Sequence, residues 1–251
     1  MLAWNDVMGQ HFRKCDDFEQ GEQSFLLQYL APGMTVLDIG AHHGLYTLLA
    51  SKKVGEQGRV IAFEPSPREL RRLKWNLLLN RCCNVHIVPY ALGSNEGTAE
   101  LFVCLGQETG CNSLRPPAVN EPVSKIRVPI TTVDHYLERI GVDKVDFMKL
   151  DVEGAELEVL RGAVQLLEGT RPLILCELAD LRTEPWGYSS IQIYDFLRSR
   201  GYKWFSITPG GKLRSCPRKD RFHENLLAVP QDKLRFVKSF VENESECTGS
   251  C

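Results

Sequence analysis

Three features that mark common functional classes are missing from the sequence. It has no run of about 18 apolar residues and no apolar signal segment at its start, which argues against a membrane-spanning or secreted protein. Its nine cysteines include no paired CxxC motif, so a zinc site is not expected. Its net charge of −2 lacks the basic excess of nucleic-acid-binding proteins. The sequence therefore predicts a cytoplasmic protein without a transmembrane segment or a nucleic-acid partner.

What the sequence does contain is a series of short apolar runs that alternate with helical patterns. With 251 residues, 43% of them hydrophobic, the chain is long enough for one α/β domain with a packed core. Repeated strand–helix units predict a mainly parallel sheet covered on both faces. The predicted strands are Thr35–Gly40, Arg59–Glu64, Val85–Val88, Gly97–Val103, Ile126–Ile130, Val145–Leu150, Pro172–Leu178, Tyr202–Ile207 and Leu226–Val229. The predicted helices are Glu22–Leu30, one after Gly44, one from Pro67, Val133–Ile140, one from Leu157 through Leu167, and Ile191–Arg200. The helix from Pro67 is expected to begin with a capping box, in which Ser66 is the N-cap and Glu69 is the third helical residue.

Composition divides the chain into three parts. Residues 1–34 are predicted to be an N-terminal segment with a short helix, residues 35–240 the main domain, and residues 241–251 a flexible polar tail. Residues 105–125 are rich in glycine, proline and polar side chains, and a loop of that length is typical of a lid or binding loop. Residues 212–221 are a second predicted loop, whose basic side chains could contact an acidic substrate.

Several charged residues are concentrated where one predicted strand ends. Side chains alternate along a strand, so Lys149 and Asp151 share a face. A lysine inside a buried strand needs a partner or a cavity, and open α/β sheets place their chemistry at the carboxyl ends of strands. Glu153 and Glu156 follow, although acids in the first turn of a helix also stabilise its dipole by about 0.3–1 kcal/mol each. We expect Lys149 and Asp151 to line a functional site.

A glycine turn between the first predicted strand and its helix indicates a cofactor. The turn has the form Asp38-x-Gly40-x-x-x-Gly44, and Glu64 ends the next strand, where an acid suits ribose hydroxyls. A nicotinamide dinucleotide requires G-x-G-x-x-G, whose middle glycine is absent here. Asp38 is a poor neighbour for a diphosphate and a good one for an ammonium or sulfonium group. The turn therefore favours S-adenosylmethionine.

The sequence also resembles the FkbM family of S-adenosylmethionine-dependent methyltransferases, over about residues 35–230. The family usually has asparagine where this chain has His42. The motifs that carry the resemblance are Val36–Ala41, Ala62–Pro67, Asn112–Leu114, Val145–Ala163 and Asn225–Pro230.

The resemblance implies a Rossmann-like class I methyltransferase fold with a mainly parallel, seven-stranded sheet. It also implies O-methylation of a hydroxyl, on a sugar, glycan or small natural-product acceptor. Asp151 is expected beside the transferable methyl group. The other cofactor-binding positions that it implies are Asp38, Gly40, Ala41, His42, Gly44, Glu64, Pro65, Ala91 and Leu92.

For the chemistry, Asp151 is the first candidate for the general base and Glu153 the second. Lys149 could orient Asp151 or stabilise the developing alkoxide. His43 is an alternative base if it faces the methyl group, whereas a histidine at such a turn can equally cap the helix or face solvent. The favoured mechanism uses no metal, although Asp151, Glu153 and Glu177 could converge on Mg²⁺.

Other interpretations remain open at this stage. The sequence Trp186-Gly187-Tyr188 could stack on a sugar ring or pack a loop against the core. A nicotinamide-dependent oxidoreductase would keep the sheet and Glu64, and a non-catalytic protein would keep the fold with a broken cofactor site. The acceptor is not identified by any pattern.

Overall fold

The computed structural model describes residues 19–242 of the chain, and most of its strands form one central sheet. The strands are β1 Thr35–Ile39, β2 Arg59–Phe63, β3 Val85–Val88, β4 Ala91–Leu92, β5 Gly97–Cys104, β6 Val123–Thr131, β7 Phe147–Leu150, β8 Leu173–Ala179, β9 Tyr202–Ile207, β10 Leu213–Ser215 and β11 His223–Pro230. The α-helices are α1 Gln20–Tyr29, α2 Leu45–Val54, α3 Pro67–Leu79, α4 Val133–Arg139, α5 Glu156–Arg161, α6 Val164–Glu168, α7 Asp180–Thr183, α8 Ile191–Ser199 and α9 Leu234–Val237. Short 3₁₀ turns occur at Thr109–Cys111, Glu184–Trp186 and Gln231–Lys233.

The central sheet has the order β10-β9-β11-β8-β7-β1-β2-β3. Strands β3, β2, β1, β7 and β8 pair in parallel, whereas β11 pairs antiparallel with both β8 and β9. The chain runs outward from β1 to β3 on one side and later from β7 to β8 on the other. Strands β1 and β7 therefore flank the point where the strand order reverses, which is where α/β sheets bind ligands.

The mainly parallel α/β sheet expected from the sequence is confirmed, but it has eight strands in place of seven. The additional strand is β10, which pairs antiparallel with Phe205–Ile207 of β9. It lies within residues 212–221, so the prediction that this whole stretch is a loop was wrong. Its three residues are too few for a visible alternation pattern, and pairing with β9 determines their conformation.

A second sheet of three strands, in the order β4-β6-β5, stands beside the first. Strands β5 and β6 form a long antiparallel hairpin. The predicted loop 105–125 is therefore shorter than expected, because β6 begins at Val123. The hairpin holds both ends of residues 105–122, and this fixes the position of the connecting segment.

The helical pattern predicted through Leu157 and Leu167 is interrupted in the structure. Helix α5 ends at Arg161 and α6 begins at Val164. A Cβ atom on Gly162 would lie 2.1 Å from the carbonyl oxygen of Gly93, so the chain turns there against a neighbouring loop. The carboxylate of Asp134 then accepts hydrogen bonds from the first backbone N–H groups of the new helix.

The core lies on both faces of the central sheet, and α1 contributes to it. Phe25 and Leu26 of α1 are fully buried with Phe147 of β7. The proposed domain boundaries remain a prediction. Most of the predicted tail, residues 243–251, lies outside the described residues, as do residues 1–18. Within residues 19–242, no helix is both long and apolar enough to cross a bilayer.

Candidate functional site

Two adjoining cavities open at the carboxyl ends of β1, β2, β7 and β8. The first, called the inner cavity, lies at the ends of β1, β2 and β7. The second, called the acidic cavity, is larger and has many charged side chains along its border. The inner cavity is lined among others by Gly40, His42, Glu64, Pro65, Ala91, Leu92, Ser113 and Asp151. The acidic cavity is lined among others by Glu19, Asp38, Gly40, Tyr46, Lys149, Asp151, Glu153, Glu177 and Arg182.

The glycine turn brings the ends of β1 and β7 into close contact. Gly40 has φ +83°, and a Cβ atom on it would lie 1.8 Å from the carbonyl oxygen of Asp151. Gly44 has φ +90°, and a Cβ atom on it would collide with the side chain of Leu73. Only glycine meets both requirements, a left-handed conformation and no side chain.

The backbone N–H groups of this turn are already used inside the protein. Gly40 and Ala41 both donate to the carbonyl oxygen of Phe63, and Gly44 donates to that of Ala41. The N–H of His42 donates to Glu64. A pyrophosphate needs free N–H groups at such a turn. The turn is therefore unsuited to a dinucleotide.

Glu64 organises the rim of the inner cavity. Its buried carboxylate accepts the backbone N–H of His42 and that of Ser66, each at 2.8 Å. Burial raises the pKa of Glu64 to about 8, against the opposing effect of these hydrogen bonds. A carboxylate offers about four acceptor positions, so two remain for hydroxyl groups of a ligand.

The capping box expected at α3 is not formed. Ser66 is the N-cap and Pro67 the first helical residue, as predicted, but the N–H of Ser66 is bound by Glu64 and not by Glu69. Glu69 contacts the Ser66 hydroxyl, the Arg68 guanidinium and the amide of Asn112 instead. The predicted helix start is thus correct, and its hydrogen bonds are different.

Asp38 offers one unused oxygen to the cavities. One carboxylate oxygen accepts from the Thr47 hydroxyl, and Oδ1 is buried with no hydrogen-bond partner among residues 19–242. Asp38 also pairs in sheet register with Lys149. Burial raises the pKa of Asp38, and the positive charge of Lys149 opposes this shift. A buried, unpaired carboxylate oxygen fits the ammonium group of S-adenosylmethionine.

Lys149 and Asp151 form an ion pair at the border of the two cavities. Lys149 Nζ lies 2.8 Å from Asp151 Oδ2 and 4.8 Å from the centre of the Tyr46 ring. The Tyr46 hydroxyl donates to Glu19 at 2.7 Å. Burial alone would lower the pKa of Lys149, but the carboxylates of Asp151, Asp38 and Glu19 outweigh it and raise that pKa. Lys149 therefore stays charged and fixes the position of Asp151.

Two further carboxylates and an arginine complete the acidic cavity. Glu153 has φ +55°, unusual for a residue other than glycine, and its Oε2 lies 2.8 Å from Arg182 Nε. Burial and the charge of Asp151 raise the pKa of Glu153 to about 8. Burial raises the pKa of Glu177 as well, and its Oε2 has no hydrogen-bond partner within the described range. Carboxylate oxygens of Asp151, Glu153 and Glu177 lie within 4.8 Å of one another.

Glu156 supports the site without belonging to it. It is buried, and it accepts the N–H groups of Val152 and Gly154 at 2.9 and 3.2 Å. Tyr188 donates to the carbonyl oxygen of Gly154. The Trp186 ring lies under the guanidinium of Arg115, 4.7 Å away. These contacts favour the packing interpretation of the predicted aromatic tripeptide over stacking on a sugar.

The two histidines of the turn differ in their surroundings. His42 has φ +50°, lines both cavities and contacts the Thr109 hydroxyl through Nε2 at 3.1 Å. His43 is buried, with Nε2 2.8 Å from the Arg72 guanidinium. Burial, followed by the charges of Arg72 and Arg68, lowers the pKa of His43 to about 3. A neutral imidazole that already accepts from arginine is a poor base, so His43 stays a prediction that the geometry does not favour.

Residues 105–122 lie over the site and form hydrogen bonds with its residues. Asn112 accepts the N–H of Cys104 at 2.9 Å, and the Ser113 hydroxyl donates to the carbonyl oxygen of Glu153 at 2.8 Å. Arg182 contacts the thiol of Cys111 from the other side. The segment therefore forms part of the border of both cavities.

The structure adds site residues that the sequence did not indicate. Glu19 precedes α1, Tyr46 belongs to α2 and Arg182 belongs to α7. Each of the three lies far in sequence from Asp151, within or next to a helix whose local sequence has no motif typical of a functional site. No local pattern marks them, because only the folded sheet brings them to one cavity.

Comparison with known proteins identifies the family. Residues 38–204 match the methyltransferase FkbM domain. Methyltransferase sdnD from Sordaria araneosa is 32% identical over 155 residues, covering 51% of this chain and 59% of that protein. Hexuronic acid methyltransferase AglP from Haloferax volcanii is 27% identical over 161 residues, or 62% of each chain. The crystal structure of methyltransferase FkbM from Methylobacillus flagellatus superposes with a TM-score of 0.54 and 18% identity, covering 88% of this chain and 52% of that one.

The chain belongs to the FkbM methyltransferase family, since the matched domain covers well over half of it. This confirms the predicted family, the Rossmann-like class I fold and S-adenosylmethionine as the cofactor of the family. The chain spans about three fifths of the length of the first curated relatives it matches. The residue assignments within the site stay predictions.

Proposed function

Because the chain belongs to this family, we propose that it is an S-adenosylmethionine-dependent O-methyltransferase that acts on a hydroxyl group of a sugar or natural-product acceptor. The observation that carries the proposal is the Lys149–Asp151 ion pair, at the junction of a cavity suited to a nucleoside and a cavity suited to a polar acceptor. The proposal assigns the inner cavity to the nucleoside of the cofactor, and the acidic cavity to the methionine part of the cofactor and to the acceptor.

The chain would hold the cofactor through few side chains. Glu64 would accept the ribose hydroxyls, and Asp38 Oδ1 would accept from the ammonium group. Gly40 would lie against the methionine part, with Ala41 and His42 beside it, and Gly44 would shape the turn from behind. The adenine would rest against other residues of the inner cavity, which are Pro65, Ala91 and Leu92.

When bound, S-adenosylmethionine supplies an electrophilic methyl group. Asp151 would accept the proton of the acceptor hydroxyl, and Lys149 would keep it ionised and oriented. Glu153, which lines both cavities beside Asp151 and pairs with Arg182, would be the second candidate for the base. The covering segment 105–122 would exclude water and fix the orientation of the reactants.

The charge of the acidic cavity supports a hydroxyl-bearing acceptor over a nucleic acid. Its carboxylates outnumber its two cations, Lys149 and Arg182, which are already paired. Phosphate groups would be repelled there, whereas sugar hydroxyls can donate to carboxylates. A small-molecule or glycan acceptor therefore fits the acidic cavity better than a nucleic acid does.

We propose that the reaction needs no divalent metal. Oxygen atoms of Asp151, Glu153 and Glu177 are near enough to share an ion, but Lys149 and Arg182 already neutralise the first two. Exhaustive chelation should leave turnover unchanged. A rate that falls on chelation and recovers with Mg²⁺ would assign the carboxylate cluster to a metal.

The test of the proposal is calorimetric titration with S-adenosylhomocysteine, with NADH as the control ligand. We expect binding of S-adenosylhomocysteine only, lost in Glu64→Ala and weakened in Glu64→Gln. Binding of NADH alone would contradict the proposal and favour an oxidoreductase. A screen of sugar and polyketide-type hydroxyl acceptors with labelled cofactor then tests methyl transfer. Cofactor binding without transfer to any hydroxyl or amine acceptor would favour a non-catalytic protein.

A further inference from the structure

The outer face of α3 carries a surface feature that the methyltransferase site does not use. The inner face of this helix is buried through Glu69, Leu73, Asn76 and Leu77. Its opposite face, called the outer helix patch, is exposed to solvent. The outer helix patch consists of Arg71, Lys74, Trp75, Leu78, Leu79 and the following Arg81.

The outer helix patch has an unusual apolar content for a surface. Trp75, Leu78 and Leu79 are 51%, 67% and 62% exposed, and the two leucines follow Trp75 by three and four residues along one side of the helix. Single exposed apolar residues are ordinary, but a cluster of three large ones marks an interaction surface. None of the patch residues lines the inner or the acidic cavity.

The patch also carries three cations. Arg71, Lys74 and Arg81 are exposed and make no ion pair with any residue in the described range, whereas Arg68 and Arg72 contact Glu69. Glu69 is the single acid between residues 65 and 95, and it is buried. The patch is thus locally basic on a chain whose net charge is −2.

We propose that the outer helix patch binds an anionic lipid surface. Helices that present tryptophan and leucine beside lysine and arginine insert their apolar side chains at the headgroup boundary while the cations contact lipid phosphates. Two other partners fit less well. In a two-fold dimer the patch would face itself and bring like charges together. Single-stranded nucleic acids stack on aromatic rings, and the patch offers one ring and two leucines.

The proposal is independent of the chemistry assigned to the cavities. Binding would attach the protein to a membrane through the exposed face of α3. The three apolar side chains would insert into the membrane, and the three cations would contact the lipid headgroups. Higher salt should weaken the contact by screening the cations.

The test is flotation of the purified full chain with vesicles of phosphatidylcholine, with or without phosphatidylglycerol. We expect binding only when phosphatidylglycerol is present. The triple variant Trp75→Ala/Leu78→Ala/Leu79→Ala and the variant Arg71→Glu/Lys74→Glu should each lose more than about tenfold in partitioning. Phe236→Ala, which removes an apolar side chain of 52% exposure on α9, should bind like the wild type. Because every changed side chain is exposed, cofactor binding should persist and show that the variants are folded.

Three outcomes would overturn the proposal. The first is equal binding to neutral and anionic vesicles, or no loss in the two patch variants. The second is a dimer in light scattering that the triple variant abolishes, which would assign the patch to a second copy of the chain. The third is binding of a single-stranded oligonucleotide that Arg71→Glu/Lys74→Glu abolishes while vesicle binding is absent.

Discussion

The inner cavity and the acidic cavity share five lining residues, yet they are built in different ways. The shared residues are Gly40, His42, Gly110, Asp151 and Glu153. In the inner cavity, one carboxylate, that of Glu64, accepts hydrogen bonds from the backbone N–H groups of His42 and Ser66. In the acidic cavity, side chains from separate elements place charges together, and Glu177 Oε2 is left without a partner among the described residues. The first arrangement suits a fixed cofactor, and the second suits a ligand that supplies the missing hydrogen bonds.

The largest effect is expected from a substitution of Asp151, the candidate general base, which lines both cavities. Asp151→Asn should lower kcat by about 10²–10⁴-fold, because the amide cannot accept the hydroxyl proton. Affinity for S-adenosylhomocysteine should change little. Asp146→Asn, which changes an acid at the opposite end of β7 that accepts the Thr35 N–H, is the matched control and should keep the wild-type rate. Full activity of Asp151→Asn would move the base to Glu153.

The next effect tests the close contact of β1 and β7 beneath the inner cavity. Gly40→Ala places a methyl group against the Asp151 carbonyl oxygen, so it should cost more than about 3 kcal/mol of unfolding free energy. Gly33→Ala is the control, since Gly33 also has positive φ, at +86°, but open space around it, and should cost about 1 kcal/mol. Urea unfolding of both variants measures the difference. Equal losses would mean that the strain lies in the backbone conformation alone.

A third effect is expected in the pH dependence of the unfolding free energy, through Glu153 of the acidic cavity. The pKa of Glu153 is raised from its ordinary value to about 8, so the folded state holds its proton more tightly than the unfolded state. Its contribution to stability is complete below about pH 4.5 and is lost as pH rises through about 8. Relative to Glu153→Gln, the wild type should therefore lose on the order of 2 kcal/mol between about pH 5 and about pH 8.

Urea titrations at several pH values would measure that loss. Glu158→Gln serves as the control, because Glu158 pairs with Arg161 on the surface of α5. A constant difference between wild type and Glu153→Gln across the range would show that Glu153 is ionised throughout.

The smallest effect separates acceptor binding from cofactor binding. Glu177→Gln should raise the acceptor KM by about tenfold, because one of two hydrogen-bond acceptors becomes a donor. Its kcat and its affinity for S-adenosylhomocysteine should stay near those of the wild type. Glu224→Gln, on the adjacent strand β11 and paired with Lys219, is the matched control. A loss of cofactor affinity in Glu177→Gln would mean that Glu177 contacts the cofactor and not the acceptor.

Much of the sheet and the cofactor side was predictable from local sequence. Strands β3 and β9 have the predicted bounds, and most others differ by one to three residues. The Asp38–Gly44 turn and Glu64 were identified because each lies at the end of an apolar run, where the pattern itself marks the position. The hydrogen bond from the His42 N–H to Glu64 was not predictable, and neither was the absence of the capping box at Ser66. Both depend on the fact that the fold places the Glu64 carboxylate next to these N–H groups.

What the sequence by itself determined is the alternation of strands and helices, the family, and the positions of Gly40, Glu64, Lys149 and Asp151 at strand ends. These follow from periodicity and from residue types that only certain backbone positions tolerate. The tertiary structure alone decided the rest: the eighth strand, the break at Gly162, and the meeting of Glu19, Tyr46 and Arg182 around Asp151. The reason is physical, since a cavity is formed by the edges of neighbouring strands, and strands adjacent in the sheet are distant along the chain.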